Sequence, residues 1–104
     1  NFDAILCINL IHIIEWKQAR KIFNNASNYL NSNSWLYLYG PYKRKNVKTS
    51  QSNLDFDRAL KKKNSSWGLR SLEQIEKECL VNQLVIDTIE EMPTNNISII
   101  IKKL

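Results

Sequence analysis

Trp35-Leu36-Tyr37-Leu38-Tyr39-Gly40-Pro41-Tyr42 is the stretch on which the reading of this 104-residue chain turns. Five apolar or aromatic residues run without a charge, and Gly-Pro ends the run. Aromatic and aliphatic residues bounded by a turn signal predict a short buried strand. Pro41 cannot donate to a sheet ladder, and it pushes Gly40 out of the helical region. The chain therefore leaves the sheet at Gly40, with Tyr39 and Tyr42 near the carboxyl end of the strand. In open α/β sheets that edge is where ligands bind. The next segment, residues 43–63, is the most basic in the chain: eight Lys and Arg side chains against Asp55 and Asp57.

Upstream, Phe2 to Leu10 is a nearly continuous apolar run. It fits a central strand covered on both faces, as in parallel sheets. Asn9 and His12 fall where that strand ends. Ala19, Ile22, Phe23, Ala26 and Leu30 recur at threes and fours, which predicts a helix from Trp16 to Leu30. Asn31-Ser32-Asn33-Ser34 then reads as a turn. Downstream, Ser52 reads as the N-cap of a short helix through Leu60, with Asp55 and Asp57 in its first turns. Residues 64–68 break it. Ser71-Leu72-Glu73-Gln74 is a capping box that opens a further helix with Leu72, Ile75, Cys79 and Leu80 on its apolar face. Leu84 to Ile89 is a strand, Met92 to Asn96 a turn, and Ile97 to Ile101 the last strand. Helical crossovers imply parallel neighbours, and a short turn joining the closing pair makes the final strand antiparallel. The fold class is α/β.

A chain of this length holds one domain. At 43% hydrophobic it is rich enough in apolar residues to fold. It begins at Asn1, inside an apolar run, so residues 1–104 are expected to be the C-terminal part of a domain whose N-terminal half is absent. No apolar run approaches the ~18 residues that a membrane span requires. Eleven of the fifteen basic residues are Lys, and Asn and Ile are abundant. This compositional bias weakens any inference from basicity to nucleic acid, for which Arg is the better phosphate fork. Cys7 and Cys79 have no spacing partner, form no metal or redox motif, and read as buried thiols suited to a reducing cytoplasm.

Taken in order, these residues resemble the C-terminal half of a Rossmann-like, class I SAM-dependent methyltransferase, and more narrowly an uncharacterised methyltransferase-like family about twice as long. The motifs that carry the resemblance span almost the whole chain. They are Asn9-Leu10-Ile11-His12-Ile13 with Trp16, Leu38-Tyr39-Gly40-Pro41-Tyr42, Thr49, Ser52-Asn53, Phe56-Asp57 with Leu60, Trp67-Gly68 with Arg70, and Met92-Pro93 with Asn95-Asn96. The resemblance implies a mostly parallel sheet with an antiparallel final strand. It also implies S-adenosylmethionine as cosubstrate and methyl transfer to an unknown acceptor. Asn33-Ser34 stands where the family has a Gly pair, and Lys48 and Gln51 also depart from its pattern. Gly40 and Gly68 are the only glycines, so the Gly-rich loop that holds the methionine end of SAM is not in this chain. By this resemblance the 104 residues alone are inactive.

His12, the only histidine, is the candidate catalytic residue, able to position a substrate or accept a proton near neutral pH. It is equally a backbone-bonded residue at the start of a helix. Asn9 is the candidate for SAM contact. Tyr39, Tyr42, Asn53, Arg70 and Asn95 are the candidate acceptor-binding residues. Each has a plainer reading: core aromatics for the tyrosines, a self-satisfied loop for Asn53, Asp57 and Arg70, and left-handed turn positions for Asn95 and Asn96. No metal-ligand cluster is visible. Residues 43–63 are expected to lie across the carboxyl ends of the first two strands, with Tyr42 and Asn53 facing a cleft. Lys61-Lys62-Lys63 reads as a solvated helix end or as an attractor of anions. The alternatives to an enzyme are a basic RNA-binding module built on that segment and a non-catalytic interaction domain.

Overall fold

A computed structural model describes residues 2–104 of the chain. The apolar run at the start forms strand β1 (Phe2–Ile8). A 3-10 turn, Ile11–Ile13, then leads into helix α1 (Trp16–Tyr29). The Trp35 stretch is the second half of a longer strand, β2 (Leu30–Gly40). Helices α2 (Gln51–Lys63) and α3 (Leu72–Val81) follow, then strands β3 (Leu84–Met92) and β4 (Asn96–Lys103). The four strands form one sheet in the order β1-β2-β4-β3. β1 and β2 are parallel, and β4 is antiparallel to both of its neighbours. Three strands thus point one way and only the last is reversed.

Local chemistry moves two boundaries and keeps a third. Residues 31–34 are not a free turn. They are a bulged start of β2, in which Phe2 pairs with Leu30 but Ala4 already pairs with Trp35, and Asn33 takes up the excess at φ 68°. Asn tolerates that left-handed geometry. The N-cap of α2 is Ser50 rather than Ser52, because the Ser50 hydroxyl accepts from the Asn53 N–H at 3.2 Å. Asp55 and Asp57 therefore lie beyond the first turn. The capping box at Ser71 forms in full, with Gln74 returning the bond to the Ser71 N–H.

Register assigns the faces of the sheet. Leu36 pairs with Ile101, Leu38 with Ile99, and Gly40 with Ile97, and this face carries the core with Ala19, Phe23 and Ala26 of α1 and Ile75 and Cys79 of α3. On the other face, Leu6, Tyr37 and Ile100 stand in one row and Ala4, Trp35 and Lys102 in the next. That face is bare: Leu6 is 65% exposed, Ile8 58% and Trp35 48%. β1 is the edge of this sheet, not a central strand covered on both sides, because among the described residues nothing pairs with its outer edge or covers Leu6 and Ile8.

α2 lies across the carboxyl ends of the strands, from the turn between β3 and β4, where Asn53 bonds Asn95, to the end of β1, where Phe56 meets His12. It is held there by one buried carboxylate. Asp57 accepts from the Leu69 N–H at 2.8 Å, from Lys61 at 2.9 Å and from Lys43 at 3.2 Å. Lys61 is thereby folded back onto its own helix and is not part of a wholly solvated tail. Burial raises the Asp57 carboxyl, but the bonds from Lys61, Leu69 and Lys43 outweigh it and hold the group below its usual 3.8. Gly68 makes room for this cluster: a Cβ there would stand 2.8 Å from Asp57 Oδ1 and 2.9 Å from Lys61 Cε, at φ +151°.

Gly68→Ala therefore sets the carboxylate against a methyl group at a backbone angle that L residues avoid. The expected loss is about 2 kcal/mol, or roughly 10 °C in Tm for a chain of this size. Thermal unfolding followed by circular dichroism measures it. An unchanged Tm would mean that the Asp57 cluster does not organise this end of the molecule.

Candidate functional site

Two features meet at the carboxyl edge of the sheet. The first is built round the end of β2. Gly40 has no side chain, and a Cβ placed there would stand 3.2 Å from Asn9 Oδ1, 3.6 Å from Tyr42 Cε2 and 3.7 Å from His12 Cε1. Asn9 reaches this point because it leaves β1 at φ 53°, with its N–H still bonded to Tyr39 O at 2.8 Å. His12 sits on the 3-10 turn, 3% exposed, with its ring edge-on to Phe56 at 5.5 Å between centroids. Its Nδ1 is buried and has no hydrogen-bond partner. Burial, and then the positive charge of Arg70, lower its pKa below 6.5, so the ring is neutral at physiological pH.

Arg70 fixes the turn that carries His12. Its Nη2 donates to Ile14 O and Ser66 O at 2.8 Å, its Nε to Ile11 O at 3.5 Å, and its guanidinium lies 5.5 Å over the Trp16 ring. The Gly68 N–H donates to His12 O at 3.0 Å. The histidine is thus held from both sides through its own backbone.

The second feature is a cavity of about 350 Å³, lined by Tyr42, residues 44 and 47–50, Asn53 and residues 91–97 except Pro93. Two of its sides are tied by a pair of bonds: Asn53 Nδ2 donates to Asn95 O at 3.0 Å, and Asn95 Nδ2 to Ser52 Oγ at 3.3 Å. Thr94 and Asn95 both have positive φ, 65° and 64°. A β-branched residue in that region is strained, and such strain concentrates at binding and switching segments. Tyr42 belongs to both features. It is 7% exposed, and burial, with Cys7 nearby, raises its phenol far above 10, so it stays protonated.

The model of a family described as a protein of unknown function (DUF938) matches residues 1–103. This chain belongs to the DUF938 family. Solved structures with the same fold include an O-methyltransferase family 2 protein from Planctomyces limnophilus, in complex with apigenin, at TM-score 0.86 and 17% identity over 98% of this chain. The mitomycin 7-O-methyltransferase MmcR matches at TM-score 0.86 and 13% identity over 100% of the chain. LepI, in a complex with SAM, matches at 0.80 and 12% identity over 98% of it. The chain spans 30% of the length of the first two structures and 26% of the third. At these identities the likeness is one of fold: the sheet of this DUF938 chain is the C-terminal portion of a methyltransferase-like sheet.

Within this DUF938 chain the site residues expected from sequence divide into groups. Asn9 and His12 come together at Gly40, while Tyr42, Asn53 and Asn95 line the cavity. Tyr39 does neither: it lies half-buried on the bare sheet face, between Ile8 and Ser98. Arg70 props the His12 turn instead of facing the cavity. Missed from sequence were Gly40 as the point of convergence, and Arg44 and Glu91, whose 2.7 Å ion pair joins residues 47 apart in the chain. Both cysteines are buried and free, and burial raises both thiols, Cys79 up to about 12. Among the described residues no cluster of three His, Cys, Asp or Glu is placed to hold a metal, and no helix is long and apolar enough to cross a membrane.

The lowered pKa of His12 has a definite consequence for stability. The unfolded chain takes up a proton near pH 6.5 while the folded chain resists it, so stability falls as pH drops below 6.5. Asp57 adds its own loss as pH falls below 3.8. NMR titration of the ring is expected to give a midpoint below 6.5, and His12→Gln to flatten the slope of stability between pH 6.5 and the folded midpoint. A midpoint at or above 6.5 would contradict the burial of a neutral imidazole.

Proposed function

We propose that this DUF938 chain is the acceptor-side, C-terminal half of a class I SAM-dependent methyltransferase domain, which transfers a methyl group from S-adenosylmethionine to a molecule held in the cavity beside Tyr42. The observation that carries this reading is the convergence of Asn9, His12 and Gly40 at the carboxyl end of parallel strands, next to that cavity. The residues present fit one wall of a SAM site. An uncharged amide and a neutral imidazole with a buried, unpartnered Nδ1 suit the neighbourhood of a sulfonium, and a Cβ at Gly40 would press on Asn9 Oδ1 at 3.2 Å. SAM supplies an electrophilic methyl group on sulfur. The chain supplies alignment, which is most of what a displacement at carbon requires. His12, at the Gly40 wall and outside the cavity lining, is the residue we assign to take the acceptor's proton. The Asn53–Asn95 tie restricts water on that side of the cavity.

The bare face and unpaired edge of β1 are where the N-terminal half of the same domain docks, bringing the Gly-rich loop and the acidic residue for the ribose. Two buried thiols suit a reducing cytoplasm. RNA binding by residues 43–63 is disfavoured by charge pairing: Lys43 and Lys61 are turned onto Asp57, Arg58 onto Asp55, and Arg44 onto Glu91.

Calorimetry with SAM on this chain and on a longer chain that includes the residues upstream of Asn1 tests the division. The longer protein is expected to bind SAM stoichiometrically. The 104 residues are expected to bind none and to self-associate in sedimentation through Leu6 and Ile8. Stoichiometric SAM binding by the 104 residues, or none by the longer chain, would overturn it.

A further inference from the structure

The cavity beside Tyr42 carries a charge pattern that methyl transfer as such does not use. Arg44 and Lys48 line it, and Glu91 is the one carboxylate among its lining residues. Glu91 offsets one positive charge in the lining but does not use up the donors of Arg44. Its carboxylate meets a single Nη2, at 2.7 Å, and its own side chain is 77% exposed, while that of Arg44 is 22% exposed. A pair so open to solvent adds little stability. Its effect is to hold the half-buried Arg44 side chain in place with the rest of its planar fork of donors unspent. Lys48 makes no ion pair among the described residues.

The remaining lining is uncharged. The amides of Asn53 and Asn95 are spent on each other's segments. Tyr42, Val47, Met92 and Ile97 give the cavity an apolar side. Its volume, about 350 Å³, lies at the small end of the range for small-molecule sites. Two cations and one carboxylate leave a single net positive charge, which matches a monoanion better than a phosphate dianion.

We infer that the cavity binds a small molecule with an apolar body and a carboxylate, the carboxylate being forked by Arg44 and countered by Lys48. On the methyl-transfer reading, on which this identification of the ligand as acceptor rests, the methyl acceptor is a compact carboxylic acid.

Ligand-observed saturation-transfer NMR on the chain tests the inference without SAM, so its outcome is independent of whether methyl transfer occurs. Benzoate is the probe, benzamide the uncharged control of the same shape, and phenyl phosphate the dianion. Benzoate is expected to bind roughly tenfold or more tightly than benzamide, the worth of a charge-assisted hydrogen bond, and more tightly than phenyl phosphate. Arg44→Gln and Lys48→Gln should each weaken benzoate and leave benzamide unmoved. Lys48 is exposed, so its replacement tests the site even if the Arg44 variant disturbs the loop. Benzamide binding as tightly as benzoate, phenyl phosphate binding more tightly, benzoate indifferent to both substitutions, or no benzoate binding would each overturn the inference. Benzoate binding by the chain, together with no SAM binding by the longer protein, would leave the carboxylate site standing and remove the methyl-transfer reading.

Discussion

The carboxyl edge of this molecule depends on one close approach. At Gly40 the backbone of β2 comes so near to Asn9 that a Cβ would stand 3.2 Å from its Oδ1, with Tyr42 and His12 in van der Waals contact at 3.6 and 3.7 Å. The absence of a side chain there lets the ends of two parallel strands bring an amide, an imidazole and a phenol round a single backbone position. Pro41 completes the constraint. It cannot extend the ladder, so the chain turns away at once, and the loop that follows must cross the strand ends to reach α2. The cavity beside Tyr42 is the space which that crossing encloses.

Two charges that do not face the cavity keep this arrangement in place. Asp57 gathers Lys43, Lys61 and the Leu69 N–H, tying the loop, α2 and the segment after it to one point. Arg70 does the same for the turn after β1, using backbone carbonyls as its acceptors. Satisfied buried charges of this kind contribute little net stability, but leaving one unpaired costs a great deal. Their effect is to exclude other arrangements of the loop. Asn9, His12 and Tyr42, all uncharged, gather at Gly40, while Asp57 and Arg70 are spent on holding the segments around them.

Elements set by local chemistry were legible in the sequence. The strand that stops at Gly40-Pro41, the capping box at Ser71 and the antiparallel closing pair all have short-range causes, and all are present. The N-cap of α2 was placed two residues late, because Ser50 and Ser52 both precede the helical pattern and only geometry tells which hydroxyl reaches Asn53. Residues 31–34 read as a turn because Asn and Ser favour turns. A bulge pairing with β1 uses the same residues, and its cause lies some 28 residues upstream. Arg70 read as a ligand-binding residue because nothing local reveals acceptors 56 and 59 residues away.

The most direct test of the site is a crystal structure of the longer protein, with the residues upstream of Asn1 included, bound to S-adenosylhomocysteine. The expected result places the sulfur against the Asn9–His12–Gly40 wall, with the cavity beside Tyr42 opening toward it and a new strand parallel to β1 on its free edge. A nucleoside bound at the amino ends of the strands, or a sulfur screened from that cavity by α2, would contradict the assignment.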